Sequence, residues 1–165
     1  MFTRVLAERL DRTSPLHVVE AADGHILDGG GAWIAPGDRH MTVERAGAEV
    51  RIRTNVGPRE NSCRPSVDPL FRSVAETFGA HALGIVMTGM GNDGMRGARQ
   101  LHEAGARVIV QDEPSSVVWG MPGFVVQSGI ADAVVPLAGL AAEIERRLEV
   151  GRVKTPLQRP VGVGP

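Results

Sequence analysis

At 165 residues, with 42% apolar and 22% charged side chains, the chain is long enough for one domain around a sizeable core. Eighteen basic residues against nineteen acidic give a formal net charge of -1 with no Lys/Arg cluster, which argues against nucleic acid as a partner. A lone cysteine, Cys63, excludes a disulfide framework and a Cys-rich metal site, and the lack of an apolar run of about 18 residues or of a signal-peptide layout points to a cytoplasmic protein without membrane insertion.

Phe2, Val5, Leu6 and Leu10 recur at helical spacing opposite Arg4, Glu8 and Arg9, which predicts a surface helix with one buried face. His17-Val-Val19 reads as a short strand, 28–31 as a glycine loop and 32–35 as an apolar segment. Met41, Val43, Val50 and Ile52 alternate about Ala46-Gly47, the pattern of an antiparallel hairpin with one solvated face. Residues 55–65 form a loop, in which Cys63 is assigned no role. Asp68-Pro69 reads as N-cap and first-turn proline of a helix with the stripe Leu70, Phe71, Val74, Ala75 and Phe78, ended by Gly79.

Residues 83–87 are an unbroken apolar run, as a strand buried on both faces of a parallel sheet reads. Gly89, Gly91 and Gly94 then make a sharp turn into a helix over 95–104, with Met95, Ala98, Leu101 and Ala104 on one face and Gly105 as its C-terminal cap. A second apolar strand, 108–110, completes a β-α-β unit, and the polar loop 111–116, with Asp112 and Glu113, falls on the same sheet edge as Asp93. Trp119-Gly-Met-Pro122 reads as a compact turn whose tryptophan and methionine either wall the cleft or, the favoured reading, fill core. A short helix over 124–127 stops at Gly129, 133–135 is a further strand, and Leu137, Leu140, Ala141, Ile144 and Leu148 form the stripe of a last helix facing the sheet. Residues 151–165 read as a mobile tail. The whole is α/β: a doubly wound, mostly parallel sheet flanked by helices, with an antiparallel hairpin.

Asp93 lies at or just before a helix N-terminus, and three readings compete for it. It can be a structural N-cap, its carboxylate accepting first-turn amides. It can belong to a dinucleotide loop, since residues 89–94 fit G-x-G-x-x-G between strand and helix and Asp112 follows, although a fixed carboxylate there opposes a pyrophosphate. Or it can steady a catalytic histidine. The five histidines, His17, His25, His40, His81 and His102, lack metal-ligand spacing, so no metal is expected, and each reads as a surface or satisfied histidine. None of Ser14, Ser62, Ser66, Ser73, Ser115, Ser116 or Ser128 sits on a Gly-x-Ser-x-Gly elbow.

Thr88-Gly-Met-Gly-Asn-Asp-Gly94, with Gln111-Asp-Glu-Pro-Ser115 and Val118-Trp-Gly-Met-Pro122, resembles the C-terminal catalytic domain of CheB-type protein-glutamate methylesterases of bacterial chemotaxis. The likeness takes in Phe2-Thr-Arg4, Ile34-Ala-Pro-Gly37 with His40, and Arg64-Pro-Ser-Val-Asp68, and runs to about Leu148. It implies that Asp93 is the aspartate of a Ser-His-Asp site and that the backbone amide of Met90 helps bind the oxyanion, without a cofactor. The family's serine and histidine precede the segment matching Phe2. The expectation is therefore a methylesterase domain over 1–150 that lacks its first strands and is inactive alone, followed by the tail. By the same resemblance the substrates are methyl-accepting chemoreceptor helices, whose glutamines are also deamidated. The absent strands, supplied by an upstream segment or a partner, would cover an apolar sheet edge. A dinucleotide-binding domain using Gly89, Gly91, Gly94 and Asp112, and a non-catalytic receptor-binding module, are the alternatives.

Overall fold

The computed structural model describes residues 2–151. Helix α1 (Phe2–Thr13) packs on strand β1 (His17–Glu20), which pairs in parallel with β2 (Gly31–Ile34). The helix seats itself through its small and polar side: Ala7 is buried, and Thr3 donates a 2.5 Å hydrogen bond to Glu20. The expected buried stripe is realised only at Leu6, which is half-buried; Phe2 is 79% exposed and Val5 53%, and Leu10 is also exposed, because β1 and β2 meet the helix along the side bearing Thr3 and Ala7.

Strands β3 (His40–Ala46) and β4 (Glu49–Asn55) form the expected antiparallel hairpin, with Ala46 opposite Glu49. Met41, Val43 and Ile52 bury their side chains on its inner face, as alternation required. Helix α2 (Val67–Phe78) lies against it, Ser73 Oγ accepting the Val43 amide at 3.0 Å. The N-cap of α2 is Ser66, so Asp68 and Pro69 stand inside the first turn rather than opening it as the sequence suggested.

Strand β5 (Leu83–Val86), helix α3 (Met95–Glu103) and strand β6 (Arg107–Gln111) make the β-α-β unit. Helix α4 (Met121–Gln127) leads to β7 (Ala133–Val135), giving a parallel sheet in the order β5-β6-β7. The parallel strands are thus divided between two sheets, β1-β2 and β5-β6-β7. Val108, Ile109 and Val110 of β6 are fully buried, flanked by strands on both sides. The expectation of burial on both faces fails for β5, where Gly84 and Val86 are buried but Leu83 and Ile85 only half so; β6 is its one partner strand among the described residues. Helix α3 presents Ala98 and Leu101 to this core and ends as expected at Gly105, whose N–H bonds His102 while Ala106 bonds Leu101.

Helix α5 (Leu140–Gly151) follows a single 3-10 turn over Leu137–Gly139. Its expected stripe is only partly realised: Leu140 is buried and Ile144 half-buried, but Leu137, Ala141 and Leu148 are exposed, since the three-residue edge strand β7 offers little surface to cover them. Of the tail expected over 151–165, Gly151 instead ends α5, and the rest lies outside the described residues.

α2 and α3 cross closely. A Cβ on Gly97 would stand 2.5 Å from Phe71 Cβ and 3.1 Å from the Asp68 carbonyl oxygen. Only glycine lets the start of α3 lie on the start of α2, and that contact positions the site.

Candidate functional site

The turn leaving β5 is laid flat on the segment before α4. Thr88 Oγ1 accepts the Val118 amide at 2.9 Å and donates back to its carbonyl at 3.2 Å. Gly89 accepts from Met121 N–H at 2.8 Å, and a Cβ on Gly120 would fall 2.5 Å from the Gly89 carbonyl oxygen and 2.9 Å from Gly91 N. Met121, which opens α4 rather than closing a turn, therefore packs beneath the glycine turn and against the core, while Trp119 is only half-buried over Gly123 and does not join that core. Pressed down at Gly89 and Gly91, the chain throws Met90 outward. Its side chain is 85% exposed, and among the described residues its backbone N–H has no acceptor.

Asp93 closes this turn and is buried at 7% exposure. It is not the N-cap of its own helix; Gly94 holds that position in a left-handed conformation with no side-chain cap. The carboxylate crosses instead to the start of α2. Oδ1 accepts from Ser66 Oγ at 2.6 Å, Asn61 Nδ2 at 2.9 Å, Gly94 N at 2.9 Å and Asp68 N at 3.3 Å, and Oδ2 accepts from Val67 N at 2.8 Å. Asp68 reciprocates, its Oδ1 taking the Gly97 amide in the first turn of α3 at 2.7 Å. Each helix is thus capped by the other's aspartate, placing two carboxylates on two positive helix ends with no ion pair to either among the described residues.

Around this pair the polar groups are all engaged. Asn61 donates its second hydrogen to Asp68 Oδ2 at 2.8 Å. It rides on a tight turn in which Glu60 and Cys63 exchange backbone bonds, with Asn61 and Ser62 both at positive φ. Arg72 clamps Glu60 through two bonds of 2.9 and 2.6 Å, and holds its carboxyl below the usual range. His40, 3% exposed, accepts the Ser66 amide at Nδ1, so Nε2 carries the proton donated to the Pro58 carbonyl at 2.8 Å. Both ring nitrogens are thus engaged by backbone groups.

Asp112 and Glu113 do not join Asp93. Asp112 is taken up by the Ser115 amide at 3.2 Å and by Ser115 Oγ, and Glu113 faces solvent. The fully buried Gln111 binds the two loops together, accepting from Thr88 N at 3.0 Å and donating to the Ser115 carbonyl at 2.7 Å. Cys63 is exposed and unbonded at Sγ among the described residues. A cavity of about 500 Å³ is lined by His40, Glu60, Arg72 and Glu76, and a more apolar one of about 450 Å³ by Trp33, Leu70 and Phe78. Neither is lined by Asp93, which is buried, or by Met90, which is exposed. Among the described residues no three His, Cys, Asp or Glu side chains are grouped to hold a metal ion, and no helix is long and apolar enough to cross a membrane.

The sequence singled out the turn bearing Asp93 and Met90 but not the contacts that Asn61, Ser66 and Gln111 make around it. Ser66 and Asp68 fall in the Arg-Pro-Ser-Val-Asp motif, a signal for the place though not for the role. Nothing marks Asn61 beyond the turn chemistry of Asn-Ser.

Residues 1–144 match a family model described as CheB methylesterase. The chain is 51% identical over 148 residues to the protein-glutamate methylesterase/protein-glutamine glutaminase of Trichodesmium erythraeum, covering 90% of this chain and 42% of that one. A Rhodospirillum rubrum protein of the same description is 51% identical over 145 residues, covering 88% of this chain and 38% of its own. The chain thus spans about two fifths of the length of these relatives. The crystal structure of the Thermotoga maritima CheB methylesterase catalytic domain superposes with a TM-score of 0.86 at 36% identity, over 88% of this chain and 77% of that one.

Proposed function

We propose, from the premise that this chain belongs to the CheB methylesterase family, that it supplies the aspartate and oxyanion corner of a protein-glutamate methylesterase and glutaminase site. One observation carries the reading: among the described residues Asp93 is clamped through Oδ1 while Oδ2 holds a single donor, on the same turn that leaves the Met90 N–H without an acceptor. Oδ2 has room for one more hydrogen bond, the one an imidazole Nδ1–H would make.

The nucleophile and base come from a segment other than these residues, since no serine of this sequence lies on the required turn. The serine attacks the γ-carbonyl of a methylated glutamate, and the histidine takes its proton and passes it to departing methanol. Water then releases the carboxylate by the reverse proton path. With glutamine the leaving group is ammonia and the steps are otherwise the same. Asp93 fixes the imidazole tautomer and stabilises the imidazolium; losing such an aspartate costs about 10⁴ in rate. The Met90 amide donates to the oxyanion, worth on the order of 3 kcal/mol in the barrier. The substrates are glutamyl side chains on the cytoplasmic helices of methyl-accepting chemoreceptors, which places the protein in the cytoplasm as part of chemotaxis signal transduction.

The segment bringing serine and histidine also completes the sheet. β1 and β5 each have one partner strand among the described residues, leaving apolar edges of the kind that recruit further strands. Residues 1–150 act as one unit in this reading. The test joins the stretch of the Trichodesmium erythraeum relative that precedes its match to this chain in front of Phe2, and measures methanol release from methylated receptor. The joined enzyme should turn over and melt higher than the chain alone. Equal turnover by the chain alone, or none by the joined enzyme when it is folded, would overturn the reading. Titration with NAD(H) separates the dinucleotide alternative, because a saturable rise in melting temperature is expected only there.

A further inference from the structure

We propose that Asn61 is a positioning residue for Asp93, an inference that rests on the function proposed above. A carboxylate oxygen has about two acceptor sites, and Oδ1 of Asp93 is approached by four donors against one at Oδ2. That imbalance fixes the rotation of the carboxylate about its Cβ–Cγ bond and decides which oxygen retains a free site.

Three of the five donors are backbone amides at helix starts, and a fourth is the N-cap hydroxyl of α2. Asn61 is the one donor from outside both helices. It is carried there by a turn whose two central residues lie at φ +50° and +62°, a conformation that L side chains seldom adopt. A strained backbone is retained where something depends on where it points. Here both hydrogens of the Asn61 amide are spent on the two buried carboxylates, Asp93 at 2.9 Å and Asp68 at 2.8 Å. No ion pair reaches either aspartate among the described residues. The neutral amide therefore stands where a cation would otherwise be needed. It draws charge toward Oδ1, couples Asp93 to the aspartate that caps α3, and leaves Oδ2 as the face presented to an imidazole.

The joined enzyme of the previous subsection carries the test. Asn61→Gly removes the amide while relieving the left-handed backbone, so lost activity cannot come from added strain. It should lower kcat about tenfold to a hundredfold, the range reached when an outer-shell partner of an oriented group is lost, with KM unchanged. The acid limb of the kcat profile, set by the imidazole, should move to lower pH, because a misaligned carboxylate stabilises the imidazolium less. A merely structural role would lower the active fraction equally at every pH and leave that limb in place. Ser62→Gly, in the same turn but outside the network, should leave kcat and the limb unchanged. If Asn61→Gly melts below the assay temperature, Asn61→Ser, which cannot bridge both carboxylates, replaces it. An unmoved limb overturns the proposal, whether kcat is undiminished or falls equally at every pH. Asp93→Asn run alongside separates the two claims: if that variant keeps full activity the proposed function fails, and if it abolishes activity while Asn61→Gly does nothing, only the role of Asn61 fails.

Discussion

Asp93→Ala tests whether this carboxylate is as structural as its bonding implies. The substitution removes the acceptor of five donors: Ser66 Oγ, Asn61 Nδ2 and the amides of Val67, Asp68 and Gly94. A hydrogen bond to a charged group contributes about 1.5–3 kcal/mol, but five cannot add in full, since water entering the gap would reach some of the freed amides. Loss of one member of a buried charged network costs about 3–5 kcal/mol, and that is the magnitude expected here. At about 2–4 °C per kcal/mol for a chain of this size, the melting temperature should fall by roughly 6–20 °C. Asp93→Asn should cost less, about 1–3 kcal/mol. Its one carbonyl oxygen can serve two of the four donors now at Oδ1, while its NH2 would face the Val67 amide. Urea unfolding of the three chains, followed by far-ultraviolet circular dichroism, measures both differences. If Asp93→Ala lies within about 1 kcal/mol of the parent, the capping exchange between α2 and α3 does not hold the helices together and the reasoning fails.

Gly97→Ala should destabilise by about 1–3 kcal/mol, because the new methyl would meet Phe71 Cβ and the Asp68 backbone and force α2 from α3; urea unfolding at unchanged m-value checks it. Gly120→Ala pushes instead against the Gly89 carbonyl and Gly91 N, and so should displace the turn bearing the Met90 amide. The joined enzyme should lose at least tenfold in kcat with a smaller effect on KM, measured by methanol release. The Glu143 carboxyl is held at about 2 against an ordinary 4.5, by hydrogen bonds from Arg146 first and then Arg147. A lowered folded pKa gives stability that is full above the unfolded value and lost as pH falls through the folded one. The contribution of Glu143 should therefore disappear between about pH 4.5 and 2, and Glu143→Gln should flatten that part of an acid-unfolding curve.

How far the fold could be read ahead depends on the distance over which each signal acts. The hairpin was legible because Met41, Val43 and Ile52 alternate about a glycine turn, and α3 because its stripe and Gly105 sit within one element. The stripes of α1 and α5 misled in part, since periodicity tells which face can be buried and not whether a surface is there to receive it. Asp93 shows the same limit at the site. An aspartate before a helix announces a cap, but its partner amides belong to α2, whose start lies 25–27 residues earlier in sequence. Asn61 left no mark beyond that of a turn residue. Its role exists only where the turn over 60–63 meets the crossing of α2 and α3, a meeting permitted by the missing side chain of Gly97.

In the proposed function, that crossing lets one residue serve the fold and the chemistry at once. A catalytic aspartate must hold one oxygen still to within a few tenths of an ångström while it stays ionised in a largely buried place. Burial alone would favour its neutral form, and a neighbouring cation would compete with the imidazole for its charge. Helix amides meet both demands, because their partial charges are fixed by the backbone and cannot follow the carboxylate if it moves. Each helix end is in turn held by the opposing aspartate, so Asp93 cannot rotate without loosening the Asp68 cap, and α3 cannot slide without moving Asp93. The rigidity at Oδ2 is thus the rigidity of the α2–α3 contact itself. Variants that open that contact, even beyond the reach of any substrate, should lower kcat and melting temperature together.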